Sequence, residues 1–158
     1  MSRVKSPPGS RLQGSPVSTA PSRTLKTIGI AIVEYADQFL VGIRPPGVDL
    51  AGCSEFPGGK CLPGESPRAC AERECLEETG LTVRGIELLL NRRFEYPHGT
   101  FDLHFWRCAP VDASQLAEEH QGFEWVPRHE LSSRTFPEGN LPVVRLLMGG
   151  GLPTAGAA

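Results

Sequence analysis

Gly59-Lys60-Cys61-Leu62-Pro63-Gly64-Glu65, a gap of seven residues, and then Arg73-Glu74-Cys75-Leu76-Glu77-Glu78-Thr79-Gly80-Leu81 decide how this chain is read. Ser66 can cap the start of a helix and Pro67 suits its first position. Gly80 is a natural stop, so the pattern predicts a helix from Pro67 to about Thr79. On that helix Glu74, Glu77 and Glu78 fall at i, i+3 and i+4 and share one face. Three like charges stacked this way repel, and the helix gains nothing from grouping them. A hard divalent cation resolves the conflict, because Mg²⁺ takes oxygen ligands and shares them with substrate phosphates. Acidic triplets are often just solvated surface. Here a glycine pair precedes the helix, Glu65 lies in the connecting loop, and Arg73 adjoins the first helical glutamate, which a plain surface does not require.

Working outward, Ile28–Val33 and Phe39–Ile43 are β-rich runs either side of Tyr35-Ala36-Asp37-Gln38 and predict a hairpin. A loop is expected from Arg44 to Ser54. Beyond the helix, Leu81–Arg84, Glu87–Tyr96, Thr100–Cys108 and Glu124–Pro127 read as strands, and Val143–Met148 as a closing helix. Strands framed by two helices predict an α+β or α/β sandwich. Residues 1–24 are rich in Ser, Pro, Arg and Gly and read as a disordered extension, with an organelle transit peptide as the alternative. Residues 25–148 form the expected domain, and 149–158 a flexible tail.

A length of 158 residues fits one self-sufficient domain. Hydrophobic and charged contents of 39% and 22% are those of an ordinary globular chain and exclude a solvated disordered one. No apolar run is long enough to span a membrane. Net charge is −2, and residues 1–24 carry four bases and no acid, so the remainder stands at −6. That sign disfavours a nucleic-acid polymer as partner and favours a site that recruits cations. Cys53, Cys61, Cys70, Cys75 and Cys108 are odd in number and form no C-x-x-C pair. Their spacing is wrong for a structural zinc site, so reduced thiols and a cytoplasmic location are expected. Cys70 and Cys75 sit five apart on the predicted helix. His120, a lone loop histidine, is expected to be exposed.

The opening segment resembles the Nudix box, G-x5-E-x7-R-E-U-x-E-E-x-G-U, where U is a bulky aliphatic residue. Gly59, Glu65, Arg73, Glu74, Glu77, Glu78, Gly80 and Leu81 match. Cys75 stands where the pattern wants Ile, Leu or Val, a small buried hydrophobe in a packing position. The resemblance implies the Nudix fold, a mixed sheet between helices. It implies Mg²⁺, with Mn²⁺ as a substitute, held by Glu74, Glu77 and Glu78 and by the carbonyl of Gly59. Arg73 is expected to pair with Glu74 or Glu65 and orient them, and Glu65 to reach the metal through water. The family often places a further glutamate in an E-x-Q loop as metal ligand or base. Glu119-His120-Gln121 fits that spacing, which favours Glu119 over Glu118; otherwise this is a solvated acidic loop.

Beyond the box, Glu55-Phe56-Pro57-Gly58-Gly59-Lys60 and Phe136-Pro137-Glu138-Gly139-Asn140-Leu141-Pro142-Val143 resemble elements of the MutT-type branch. By that resemblance Asn140 reads the purine edge, which suits an amide that both donates and accepts. Phe56 lines the base pocket, Arg44 helps hold the nucleotide, and Gly58 and Lys60 lie on the substrate. Plainer roles for these residues are a turn between prolines for Asn140, a core aromatic for Phe56 and a strand-end charge for Arg44. Cys53-Ser54 replaces a large apolar residue of relatives, and Gly99 stands where the branch can have Arg. The implied activity is hydrolysis of a nucleoside triphosphate to monophosphate and pyrophosphate, with 8-oxo-dGTP favoured, which would clear oxidised guanine from the precursor pool for DNA replication and repair. Alternatives are a pyrimidine triphosphate, a nucleotide sugar or a dinucleoside polyphosphate. A silent nucleotide-binding module is a further alternative, but such modules lose the glutamates that this chain keeps. The partner is a small nucleotide, the protein a monomer or homodimer.

Overall fold

In the computed structural model, which describes residues 24–150, the two central strands alternate their side chains between two buried faces. Strand β1 (Lys26–Tyr35) sends Ile30 and Ile32 to one core, and Ala31 and Val33 to the other. Strand β2 (Gln38–Ile43) sends Phe39 and Val41 to the first and Leu40 to the second. A sheet buried on both sides needs a layer on each, and the chain supplies helices for both. Each fully buried Val, Leu, Ile or Phe contributes about 1.5–3 kcal/mol.

The sheet has seven strands, with backbone order β3-β2-β1-β6-β5. The short strand β3 (Ser54–Glu55) pairs with the end of β2, and β4 (Gly58–Lys60) with the start of β1. Strand β5 (Val83–Tyr96) forms an antiparallel hairpin with β6 (Gly99–Pro110), and β7 (Glu124–Pro127) pairs with β2. Strands β1 and β6 run parallel, from Lys26 opposite Phe101 to Val33 opposite Cys108, so the sheet is mixed. Helix α1 (Pro67–Thr79) covers the second core with Ala71 and Cys75. Helix α2 (Leu141–Arg145) and the wider turn Leu146–Gly150 cover the first with Val143, Val144 and Leu147.

Helix α1 has the expected ends. The Ser66 hydroxyl accepts the Ala69 N–H at 3.1 Å, Pro67 opens the first turn, and Gly80 closes the last at φ 76°. The helix docks on β1 at Gly29, where a Cβ would stand 2.6 Å from the Pro67 carbonyl oxygen and 2.7 Å from the Cys70 Cβ. Only a residue without a side chain allows that approach.

Three local expectations need correction. Leu81–Arg84 and Glu87–Tyr96 are not two strands; β5 runs through both and absorbs the irregularity as register shifts at Gly85/Glu87 and Leu88/Leu90. Gly85 lies under the Arg68 side chain, and a Cβ there would meet Arg68 Cγ at 2.8 Å. The closing helix starts two residues earlier than Val143, with Pro142 in its first turn. His120 is buried rather than exposed, at 4%. Left-handed Gln121 (φ 53°) and Gly122 (φ 88°) turn the chain back, so that the Phe123 N–H reaches the His120 carbonyl at 3.0 Å. The imidazole then meets Trp125 edge-on, 6.1 Å between centroids. The expected segments 1–24 and 149–158 lie, apart from Thr24, Gly149 and Gly150, outside the described residues.

Candidate active site

One guanidinium organises the acidic face of α1. Arg73 Nε and Nη2 donate to the two carboxylate oxygens of Glu65 at 2.7 and 2.9 Å. Its Nη1 donates to Glu74 at 3.0 Å and to Glu77 at 3.1 Å. Nη2 also reaches the Lys60 carbonyl at 3.1 Å, which ties the loop before the helix to the helix itself. A fork bound to both oxygens of one carboxylate is the strong form of this contact. The Arg73 hydrogen bonds hold the Glu65 carboxyl down at about 2, and the same contacts raise the arginine. The expected partners Glu65 and Glu74 are therefore joined by a third, Glu77. Three carboxylates share one arginine, and Glu78 adds a fourth charge.

Glu78 turns from this network toward β4, where it accepts the Gly58 N–H at 3.2 Å. Burial pushes its carboxyl up to about 7, with help from Glu55 and Glu74, while the Gly58 N–H and Arg44 oppose the rise. Beside it, the Glu74 carboxylate fills the space in which a Gly59 side chain would stand, 2.5 Å from the ideal Cβ. The donors on this face of α1 are carboxylate oxygens, of the kind that a hard divalent cation takes, and the three carboxylates that share Arg73 outnumber it. The residues fit such an ion.

Across Gly58 and Gly59 opens a cleft of about 350 Å³. It brings together Arg44, Phe56, Gly58, Lys60 and Asn140, all of them predicted substrate residues, with Gly59, a predicted metal ligand. Phe56 stacks on Phe136 at 4.9 Å between centroids and forms the floor. Asn140 stands at the start of α2 but makes no capping hydrogen bond with its side chain, so its amide is left for the cleft. Arg44 is engaged on two sides: Nε donates to the Asp49 carbonyl at 2.7 Å and Nη1 to Glu55 at 3.2 Å. Burial raises the Glu55 carboxyl, and Arg44 opposes that rise. Glu119 lies apart, exposed in the turn before β7. That turn adjoins the end of α1, since Gln121 Nε2 is 3.9 Å from the Cβ position of Gly80.

The opposite wall of the cleft had no binding role assigned to it from the sequence. Tyr96, His98 and Phe101 come from the β5–β6 turn, and Asp49 and Leu50 from the loop after β2. Tyr96 is fixed by accepting the Gly139 N–H at 2.6 Å, and His98 stacks on it at 5.3 Å. The Tyr96-Pro97-His98-Gly99 turn was the available signal, but only the fold carries it to Asn140.

An acidic ridge on a helix, capped by a glycine strand and opening on an aromatic cleft, is the layout of an enzyme that cuts phosphoanhydrides. The NUDIX domain family matches residues 24–147, and the chain belongs to that family. It is a hydrolase acting on phosphoanhydride bonds. The chain is 32% identical over 120 residues to an 8-oxo-dGTP diphosphatase of Haemophilus influenzae, covering 76% of this chain and 88% of the relative. It is 30% identical over 118 residues to the CTP pyrophosphohydrolase of Escherichia coli, covering 75% and 87%. Among solved structures, the E. coli ORF135 protein superposes with a TM-score of 0.65 at 27% identity, over 85% of this chain and 97% of that one. A MutT protein from Methanosarcina mazei superposes with a TM-score of 0.67 at 22% identity, over 82% and 96%.

Proposed function

We propose that the protein is a Mg²⁺-dependent nucleoside triphosphate pyrophosphohydrolase that favours 8-oxo-dGTP. The observation that carries this reading is the junction at Gly58-Gly59, where the carboxylates of α1 meet a cleft of nucleotide-base size. Glu74, Glu77 and Glu78, with the Gly59 carbonyl, would hold the metal, for which Mn²⁺ could substitute. When bound, the ion supplies positive charge to the phosphate oxygens and lowers the pKa of water. Arg73 keeps Glu65, Glu74 and Glu77 aligned, with Glu65 in reach of the metal through water. Glu119, in the turn whose Gln121 adjoins the end of α1, would take a proton or complete the ligand set. Phe56 stacks under the base, Lys60 and Arg44 meet the phosphates, and Gly58 lets them approach the backbone. The Asn140 amide reads the base edge, and a site built to hydrogen-bond one edge rejects the wrong one strongly.

A second reading, a pyrimidine triphosphate substrate, is favoured by the near-equal likeness to the CTP pyrophosphohydrolase. A panel of 8-oxo-dGTP, dGTP and CTP, with products separated by ion exchange, decides between them. The expected result is monophosphate and pyrophosphate, fastest from 8-oxo-dGTP. Equal turnover of 8-oxo-dGTP and dGTP would remove the oxidised-guanine reading and leave the hydrolase. Asn140→Ala should cost roughly 1–2 kcal/mol of that preference, about tenfold, since one side-chain hydrogen-bonding group is lost.

A further inference from the structure

Outside the acidic ridge, a second group of ligating side chains lies on the far side of the same loop. The sulfurs of Cys61 and Cys70 and a carboxylate oxygen of Glu65 are within 4.8 Å of one another. Cys61 follows β4 and is partly exposed; Cys70 is buried in the first turns of α1. Both thiols are free, as are the other three cysteines. Cys61 and Glu65 line a groove of about 620 Å³ with Thr27, Lys60, Asp102 and His104, so an ion can enter from solvent, and the buried Cys70 lies behind them.

We infer that Cys61, Cys70 and Glu65 form a site for a thiophilic divalent cation, of which Zn²⁺ is the natural candidate. The site differs in kind from the ridge: two sulfurs and one oxygen suit a soft or borderline ion, whereas four oxygens suit a hard one. Zinc bonds sulfur at about 2.3 Å, so tetrahedral geometry sets two sulfurs roughly 3.8 Å apart. The observed spread therefore closes on an ion with a shift of about an ångström. Three protein ligands leave the fourth position open to water from the groove. Thiols surrender their protons to the metal on binding.

The two sites share parts. Cys70 donates its S–H to the Gly59 carbonyl at 3.2 Å, and its sulfur lies 3.9 Å from Arg73 Nη2. An ion on Cys70 removes that S–H donor, and an ion on Glu65 competes with Arg73 for the carboxylate. Occupying the thiol site thus loosens the arginine that aligns Glu74 and Glu77. In this respect the inference rests on the hydrolase reading: Zn²⁺ would slow hydrolysis without taking the place of Mg²⁺.

The test separates binding from activity. Titrating the full chain with Cd²⁺ should produce cadmium–thiolate absorption in the near ultraviolet that saturates at one equivalent. Cys61→Ser should lower the affinity at least tenfold and remove most of that signal, whereas Cys53→Ser should leave it unchanged. Cys70→Ala gives the same loss if it folds; Cys61, being partly exposed, decides alone if it does not. Absence of the signal in the unmodified protein, or its survival in Cys61→Ser, overturns the site. Inhibition by Zn²⁺ at fixed Mg²⁺ should then be relieved several-fold in Cys61→Ser, with turnover in Mg²⁺ alone unchanged. Equal Zn²⁺ inhibition of both proteins would overturn the coupling, and lack of any hydrolysis would fail the enzymatic reading instead.

Discussion

Two arginines, Arg73 and Arg128, each spread one guanidinium over several acceptors, yet the surroundings differ. Arg128 donates to Glu34, to Asp37 at 2.6 Å and to the Leu147 carbonyl at 2.6 Å, and lies over the Phe39 ring at 4.9 Å. It faces two carboxylates and an aromatic surface, and it ties the β1–β2 hairpin to the wider turn that follows α2. Arg73 faces three carboxylates, with a fourth one turn away. One centre carries a single surplus negative charge and holds the fold together. The other carries the larger surplus of negative charge, which another cation can offset, and the proposed function places the chemistry there.

The comparison can be broken by crossed substitutions. The largest effect is expected from Glu77→Gln, which keeps shape and removes one ridge charge. Turnover should fall about 10²–10³-fold, the scale of losing one preorganised electrostatic group, while the melting temperature holds or rises. Near-normal turnover would contradict the metal assignment. Next, Arg73→Met should weaken Mg²⁺ affinity roughly 10–100-fold, as loss of residues that orient ligands does, measured as the Mg²⁺ dependence of hydrolysis. Arg128→Met should instead destabilise by about 1–3 kcal/mol in denaturant unfolding and leave turnover intact. If both variants lose activity alike, the distinction between the two centres fails.

The smallest effect concerns pH. Glu78 has a carboxyl raised in the folded protein from 4.5 to about 7, chiefly by burial. Below the lower value both states hold the proton; between the two, only the folded state does. Its stabilising contribution is therefore full below about pH 4.5 and is lost as pH rises toward 7. In chelator, the melting temperature should decline over that window, and Glu78→Gln should flatten the decline. An identical slope in the variant would show that other groups cause it.

Much of this molecule could be read ahead of the coordinates where the signal is local. Ser66-Pro67 and Gly80 bracket α1 to the residue, and Glu74, Glu77 and Glu78 share a face because helical spacing demands it. Local signals also mislead: Gly85-Ile86 looks like a break between strands, yet pairing with β6 carries β5 through it. The aromatic wall was illegible for a different reason. Tyr96 becomes part of the cleft only through Gly139, 43 residues further on, and no periodicity encodes that meeting. His120 was misjudged because burial there depends on Trp125 and on a left-handed turn rather than on its own type. The closeness of Cys61 to Cys70 follows from the docking of β4 and α1 on β1, not from their spacing along the chain.

The tight seating of α1 against Gly29 and of Glu74 against Gly59 leaves no slack in the floor of the cutting site. On the proposed reading, backbone rather than side-chain choice sets where the scissile bond would lie. The facing wall is built from Asp49, Leu50 and His98, exposed residues on two loops. On the same reading, drift in that wall would retune which base is admitted without moving the blade, so new diet and old bite could evolve separately.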